Sequence, residues 1–282
     1  MTRIYDCTSE SDTSHSEYQA HITLARTAIG RGALVVIPTD TVYGVAADAF
    51  NAEAVQLLLD AKGRSRQSPP PVLIPGIPTL DALAVDVPQP VRDLVAAFWP
   101  GGLTVIVNAQ PSLVWDLGET RGTVALRMPS NQVALDLLAA TGPLAVSSAN
   151  LSGMPATRDA QAAEAALGES IEVYLDGGTA GSTYESVFGQ SGDGSSTIVD
   201  ATGFETNGGF LHIVRSGVIS RDAIAAVVGD VLAAAPAVPG APVEPSETDA
   251  SPAIAAPSKN DAPTEVPTEE PTEVPHETDA SR

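Results

Sequence analysis

Residues 33–44 read Ala-Leu-Val-Val-Ile-Pro-Thr-Asp-Thr-Val-Tyr-Gly, and the class of fold turns on them. Ala33–Ile37 is an unbroken apolar run following Gly32. It is too short for a helix and rich in β-branched side chains, which predicts a buried strand. Directly after it, Pro38 to Gly44 packs two hydroxyls, a carboxylate and a phenol into a turn. Open α/β sheets place their ligands at such turns, just beyond the strands. A capped turn whose threonines hydrogen-bond the local backbone accounts for the same residues, and both readings fit the segment taken alone.

Outward from this stretch, apolar periodicity alternates between the strand and helix types. Helices are expected over Ala52–Ala61, where Val55, Leu58 and Leu59 share a face, and over Val91–Phe98, Val133–Ala140, Ala160–Leu167 and Ala223–Val228. Strands are expected over Val72–Ile74, Leu103–Val107, Val124–Leu126, Leu144–Val146, Val173–Leu175, Thr197–Val199 and Leu211–Val214. Several of these strands follow one another without a helix between them. The expected fold is therefore α/β, a single domain with a twisted mixed sheet and flanking helices.

Composition breaks near Leu232. Residues 233–282 hold ten prolines and ten Asp+Glu against only Lys259 and Arg282, with a near-repeat of Pro-Thr-Glu-Val at 263–275. Proline at this density blocks helix and central strand, and there is little apolar surface to offset ordering entropy, so a disordered tail is expected. The tail carries −8 of the net charge of −21, which leaves −13 on residues 1–232. The division expected is a lead-in at 1–20, a catalytic domain at 21–232 and the tail at 233–282. A surplus of this sign excludes a general phosphate-backbone binder, whose footprint is a basic stripe. The lone Cys7 excludes an internal disulfide and a cysteine zinc site, and His15, His21, His212 and His276 show no metal-ligand spacing. With a polar start and no apolar run of membrane-spanning length, a cytoplasmic location is expected.

Chemistry gathers in a few further segments. Lys62, Arg64 and Arg66 follow the end of the helix predicted over Ala52–Ala61, where cations favour the macrodipole. They are also a large share of the domain's few cations, and arginine forks suit phosphate oxygens. Arg127 ends a buried strand, so it meets either an internal carboxylate or an anionic ligand. Ser147-Ser148-Ala149-Asn150 follows another strand with neutral hydrogen-bonding groups, and Asp176-Gly177-Gly178, Ser195-Ser196 and Arg215-Ser216-Gly217 repeat the theme. The Phe98-Trp99-Pro100-Gly101-Gly102 segment reads as structural, with rings filling the core and glycines allowing a tight reversal. The P-loop, the dinucleotide fingerprint, the nucleophile elbow and the zincin motif are all missing. Lysine, arginine, serine and threonine around an anion suit nucleotidyl transfer by positioning and charge neutralisation.

Taken in order, PTDTVYG (38–44), KGR (62–64), FWPGGLT (98–104), ALRMP (125–129), SSANLSG (147–153), DGG (176–178), STIVD (196–200) and RSG (215–217) resemble the YrdC/YciO-like family of threonylcarbamoyl-AMP synthases. The resemblance implies a sheet around a large positive cavity, and condensation of L-threonine, bicarbonate and ATP to threonylcarbamoyl-AMP and pyrophosphate for tRNA modification. It implies that Lys62 and Arg64 carry the catalysis. Thr41, Arg127 and Ser196 would hold threonine, and Lys62, Arg64, Ser68, Thr123, Ser147, Asn150 and Arg215 would engage ATP. Mg2+ would arrive with the nucleotide rather than at a protein metal site. Downstream threonylcarbamoyl-transferase proteins would take the product, and direct nucleic-acid binding would be weak or absent. The chain departs from the family pattern at Leu73, where a histidine is common, at Pro69-Pro70-Pro71, and at insertions over 184–194 and 204–209. It looks like a short form in which the acidic tail stands where the long form has a second domain. Two rival readings are a non-catalytic RNA-binding relative of the same fold, and the carbamoyltransferase module of hydrogenase-maturation proteins. The second expects cysteine zinc clusters that this chain lacks.

Overall fold

The computed structural model describes residues 3–8, 12–184, 194–206 and 208–234. In chain order they form β1 (Ile4–Asp6), α1 (Asp12–Gly30), β2 (Val35–Ile37), β3 (Gly44–Asp48), α2 (Ala52–Lys62), β4 (Val72–Leu73), α3 (Ile77–Leu83), β5 (Ala84–Val85) and α4 (Gln89–Phe98). There follow β6 (Leu103–Ala109), β7 (Thr123–Arg127), α5 (Gln132–Thr141), β8 (Leu144–Ser148), α6 (Ala160–Leu167), β9 (Val173–Asp176), β10 (Thr197–Asp200), β11 (His212–Arg215) and α7 (Arg221–Val228).

Among the described residues the strands form one mixed sheet in the order β1-β9-β2-β3-β8-β4-β7-β6-β10-β11, with β5 paired to β6. The β1/β9, β2/β9, β4/β7 and β6/β10 pairs are parallel and the others antiparallel. This is the α/β sheet with flanking helices that the periodicity implied. Each predicted strand and helix is present, within a few residues at its ends.

Some elements escaped the sequence reading. Residues 1–20, set aside as a lead-in, supply β1, which pairs with β9, and the first half of α1. The polar opening of α1 hid a helix whose Ile22, Ala25 and Ile29 pack on the core at helical spacing. The turn after β2 delivers the chain straight into β3, whose Gly-Val-Ala-Ala-Asp sequence is too small and unpatterned to announce a strand. Its pairing with both β2 and β8 overrides that weak propensity. The short α3 and β5 were also passed over. The tail from residue 235, and residues 185–193 of the 184–194 insertion, lie outside the described residues.

Alternation along the strands places the site. In β2, Val35 and Ile37 face a core shared with α1 and α5, whereas Val36 faces one shared with α2 and α6. This half of the sheet is thus covered on both faces. In β6, Leu103, Val105 and Val107 pack against Val91, Leu94 and Val95 of α4 and Ile224 of α7. The intervening Thr104 and Ile106 point to the opposite face, where they line clefts rather than meet a helix. Arg127 of β7 and Ile198 of β10 also line these clefts.

One cleft takes residues from β3 (Gly44), β8 (Val146, Ser147, Ser148), β4 (Leu73), β7 (Arg127), β6 (Thr104), the approach to β10 (Ser195, Ser196) and the end of β11 (Arg215). Laid flat, strands so ordered would span roughly 29 Å at ~4.8 Å per gap. For a single cleft to touch all of them, the sheet curls around it. The site therefore lies on the inner face of the sheet as well as at its turns, in keeping with the cavity that the family resemblance implied.

Candidate active site

At the floor of the cleft is Arg127. Its Nε donates to the Gly101 carbonyl (2.9 Å), Nη1 to Thr41 Oγ1 (2.9 Å) and Nη2 to Asp40 Oδ1 (2.8 Å). The Arg127 and Asp40 side chains are only 7% and 3% exposed. A buried guanidinium is tolerated because it is paired and hydrogen-bonded. The two options open from the sequence thus combine: Arg127 meets an internal carboxylate, and it also lines the cleft. A guanidinium has five N–H donors, so one on each terminal nitrogen stays available.

Glycine makes this arrangement possible. A Cβ on Gly102 would stand 2.3 Å from Val218 Cγ2, and one on Gly101 would stand 2.6 Å from the Phe98 carbonyl oxygen. Only bare backbone brings the Gly101 carbonyl to Arg127. Trp99 is buried just before it and donates from Nε1 to the Leu103 carbonyl (2.8 Å), which fixes the turn from the other side.

At the rim, Arg64 Nη1 donates to Ser147 Oγ at 3.0 Å. Across the cleft, Arg215 donates from Nε and Nη2 to the Ser196 carbonyl (3.1 and 2.8 Å) and from Nη2 to Ser196 Oγ (2.9 Å). Ser196 Oγ also pairs with Thr104 Oγ1 at 2.7 Å. The cleft encloses about 550 Å³, its open mouth included, and among the described residues no carboxylate lines it. A neighbouring cleft of about 680 Å³ shares Arg64, Pro71 and Arg215 and adds Pro69, Pro70, Ile106, Leu117 and Thr123. Arg127 is neutralised by Asp40, and among the described residues Arg64 and Arg215 are the other cations that line the cleft.

The fold thus unites Thr41, Arg64, Arg127, Ser147, Ser196 and Arg215 in one cleft and puts Thr123 in the next. Three expected nucleotide contacts line neither. Ser68 sits in an exposed turn, its N–H bonded to the Ser65 carbonyl (3.1 Å). Asn150 spends its amide on the Leu151 and Met154 carbonyls (2.9 and 2.6 Å). Lys62 is fully buried, its Nζ bonded to the Ser148 and Asn150 carbonyls, with Ser148 Oγ and Asn150 Oδ1 at 3.4 and 3.2 Å. Lys62 and Asn150 therefore staple the loop that follows β8 to the end of the strand that carries Ser147. Arg66, grouped with them in the sequence, instead pairs with Asp116 at the surface (2.5 Å). Exposed pairs contribute about 0–1 kcal/mol. Arg66→Ala should accordingly leave the KM for ATP within twofold and shift urea unfolding by less than about 1 kcal/mol. A tenfold rise in KM would put Arg66 back in the site.

Burial, and after it the charge of Arg64, lowers the Lys62 ammonium to about 7. Between about pH 7 and the ordinary lysine range the unfolded chain holds this proton while the folded chain sheds it. Stability through Lys62 therefore rises with pH across that window. Wild type minus Lys62→Met should show a positive slope of unfolding free energy from pH 7 to 9, measured in urea. A flat difference would mean that the four surrounding oxygens keep the ammonium charged.

Three residues of the site were not singled out from sequence. Thr104 was readable in principle, as a polar residue on the inner side of an otherwise apolar strand. Asp40 was noticed only as part of a polar turn. Tyr184 accepts the Gly102 N–H at 3.0 Å, and its hydroxyl is pushed up by burial and by Asp40. Nothing local marks it, because the contact spans 82 residues. Leu73, where the family often has a histidine, lines the cleft with an apolar side chain.

A mixed sheet curled around arginines and hydroxyls, with no carboxylate among the described cleft residues, defines an anion-binding α/β domain. The family model Sua5_yciO_yrdC, described as "Telomere recombination", matches residues 27–217, and the chain belongs to this family. It is 45% identical over 229 residues to the "Putative threonylcarbamoyl-AMP synthase" of Mycobacterium tuberculosis (strain CDC 1551 / Oshkosh), covering 81% of this chain and 96% of that one. It is 33% identical to the threonylcarbamoyl-AMP synthase of Bacillus subtilis (strain 168), covering 80% of this chain and 60% of the other. The solved structure of P. abyssi Sua5 complexed with L-threonine superposes with a TM-score of 0.68 at 30% identity, covering 82% of this chain and 62% of that one. Among the described residues no helix is long and apolar enough to cross a membrane.

Proposed function

We propose that this protein is an L-threonylcarbamoyladenylate synthase acting in the cytoplasm. It condenses L-threonine, bicarbonate or CO2 and ATP to threonylcarbamoyl-AMP and pyrophosphate, and passes the product to a threonylcarbamoyl-transferase that modifies tRNA. The observation that carries the reading is the Arg127 fork. It is buried, oriented by three acceptors, and open to the cleft through two remaining N–H groups, an arrangement suited to an amino-acid carboxylate. Thr41 and Ser196 flank it with hydroxyls. Arg64, Ser147 and Arg215 face the phosphates, and the neighbouring cleft, with Thr123 at its edge and proline and aliphatic walls, takes the nucleoside.

In the reaction, the neutral amine of threonine adds to CO2 and loses a proton, giving a carbamate. A carbamate oxygen then attacks the α-phosphorus, and the bond to the β-phosphate oxygen breaks to release pyrophosphate. No protein nucleophile is needed. Arg64 and Arg215 offset charge that grows on the phosphates, and the shared cleft holds the carbamate oxygen and the α-phosphorus in reach. The described residues contain no cluster of side chains suited to a metal ion, and no carboxylate lines either cleft. The described residues therefore do not form a resident Mg2+ site. The ion belongs to the substrate as MgATP, held by phosphate and water.

The test is incubation with labelled bicarbonate, threonine and ATP, reading threonylcarbamoyl-AMP by mass and pyrophosphate by a coupled assay. Both should appear only when all three substrates are present. Tight tRNA binding without pyrophosphate release would instead establish the RNA-binding reading.

A further inference from the structure

Asp40 is absent from the residues lining the cleft, yet it is bonded to one that lines it. Its Oδ1 accepts from Arg127 Nη2 (2.8 Å) and from the Ser130 N–H (2.9 Å). Its Oδ2 is buried and has no hydrogen-bond partner. Burying a carboxylate and using one of its oxygens is unfavourable for folding, so the position is poorly explained by stability alone. The Tyr184 hydroxyl also interacts with this carboxylate, but the backbone and guanidinium donors both converge on Oδ1, so the site draws on the placement of that oxygen.

That acceptor matters because of what it completes. The Gly101 carbonyl and Thr41 Oγ1 hold Nε and Nη1, and Asp40 Oδ1 holds the remaining terminal nitrogen. Three acceptors fix the guanidinium plane, whereas two leave Nη2 without an anchor. The Ser130 N–H in turn pins Oδ1 from the segment just after β7, so the turn after β2 and the end of β7 are tied together around Arg127.

We propose that Asp40 is a positioning residue: by setting one oxygen against Arg127 Nη2 it fixes the plane in which the fork's two free N–H groups meet the substrate carboxylate. The inference rests on the synthase reading above. It concerns orientation, and an asparagine at this position would supply the same oxygen to the same two donors. A glutamate would keep the charge but move the oxygen by one methylene.

The experiment therefore separates placement from charge. Asp40→Asn and Asp40→Glu are compared with wild type in the full chain, reading the KM for threonine, the KM for ATP and the thermal shift produced by each substrate. Asp40→Asn should keep the KM for threonine within threefold. Asp40→Glu should raise it at least tenfold and lose the threonine-dependent shift, with the KM for ATP within twofold in both. Should Asp40→Glu not fold, Asp40→Ala, which also lacks the placed acceptor, should show the same tenfold rise. A tenfold loss in Asp40→Asn, or an unchanged KM for threonine in Asp40→Glu or Asp40→Ala, overturns the proposal while leaving the synthase reading intact. Absence of threonine-dependent pyrophosphate release in wild type overturns both.

Discussion

Arg127→Ala should reduce kcat/KM for threonine at least a hundredfold and also destabilise the fold. Removing one partner of a buried, hydrogen-bonded charge pair costs about 2–5 kcal/mol of binding, and each 1.4 kcal/mol is roughly tenfold. The same truncation leaves Asp40 buried without its counterion. Its Oδ1 would retain only the Ser130 N–H, and its Oδ2 already has no partner. Breaking a buried pair in this way costs about 3–5 kcal/mol, which for a domain of this size lowers the melting temperature by roughly 10 °C. The two losses should separate in the double variant. Arg127→Ala with Asp40→Asn removes the stranded charge, so it should recover stability without recovering activity. Pyrophosphate release and thermal unfolding of the two variants check this, and activity within threefold of wild type in Arg127→Ala would remove Arg127 from threonine binding.

Arg64→Ala should act on the nucleotide with little effect on the fold. Arg64 is half-buried, makes its one side-chain bond to Ser147 Oγ, and lines both clefts, so its charge lies between the two expected substrate positions. With Arg127 paired to Asp40, Arg64 is one of the two other cations among the described residues lining the cleft. Its loss should weaken a nonhydrolysable ATP analogue about a hundredfold, in line with the strength of charge-assisted bonds to phosphate. The melting temperature should stay within about 2 °C, as expected away from buried pairs. Calorimetry in low salt measures the affinity. A defect confined to threonine would reassign Arg64 from phosphate to carboxylate.

Local signals carried much of this site. Arg127 stood out because a charge at the end of an apolar strand requires a partner, and Thr41 because its turn holds more polar groups than a reversal requires. Arg64 was legible through the scarcity of cations in an acidic domain, and Arg215 through the family resemblance of its RSG segment. The same logic misplaced Arg66, since sequence proximity to Arg64 says nothing about the Asp116 that draws it to the surface across 50 residues. The family resemblance implied that Lys62 and Asn150 contact ATP, and neither lines the two clefts. Their polar atoms are used up by carbonyls brought alongside when the loop after β8 folds over the end of α2.

What the sequence determined by itself was the kind of element at most positions and the acidic character of the chain, because apolar period and composition are local properties. It also determined the family, through ordered motifs that together span the sheet. Only the tertiary structure decided that β3 is a central strand, that the sheet curls so that Thr104, Arg127 and Ser147 face one space, and that Asp40 stands behind Arg127. These depend on pairings between distant residues, and whether a buried charge is a ligand-binding group or half of an internal pair is settled by which neighbour the fold sets within hydrogen-bond reach.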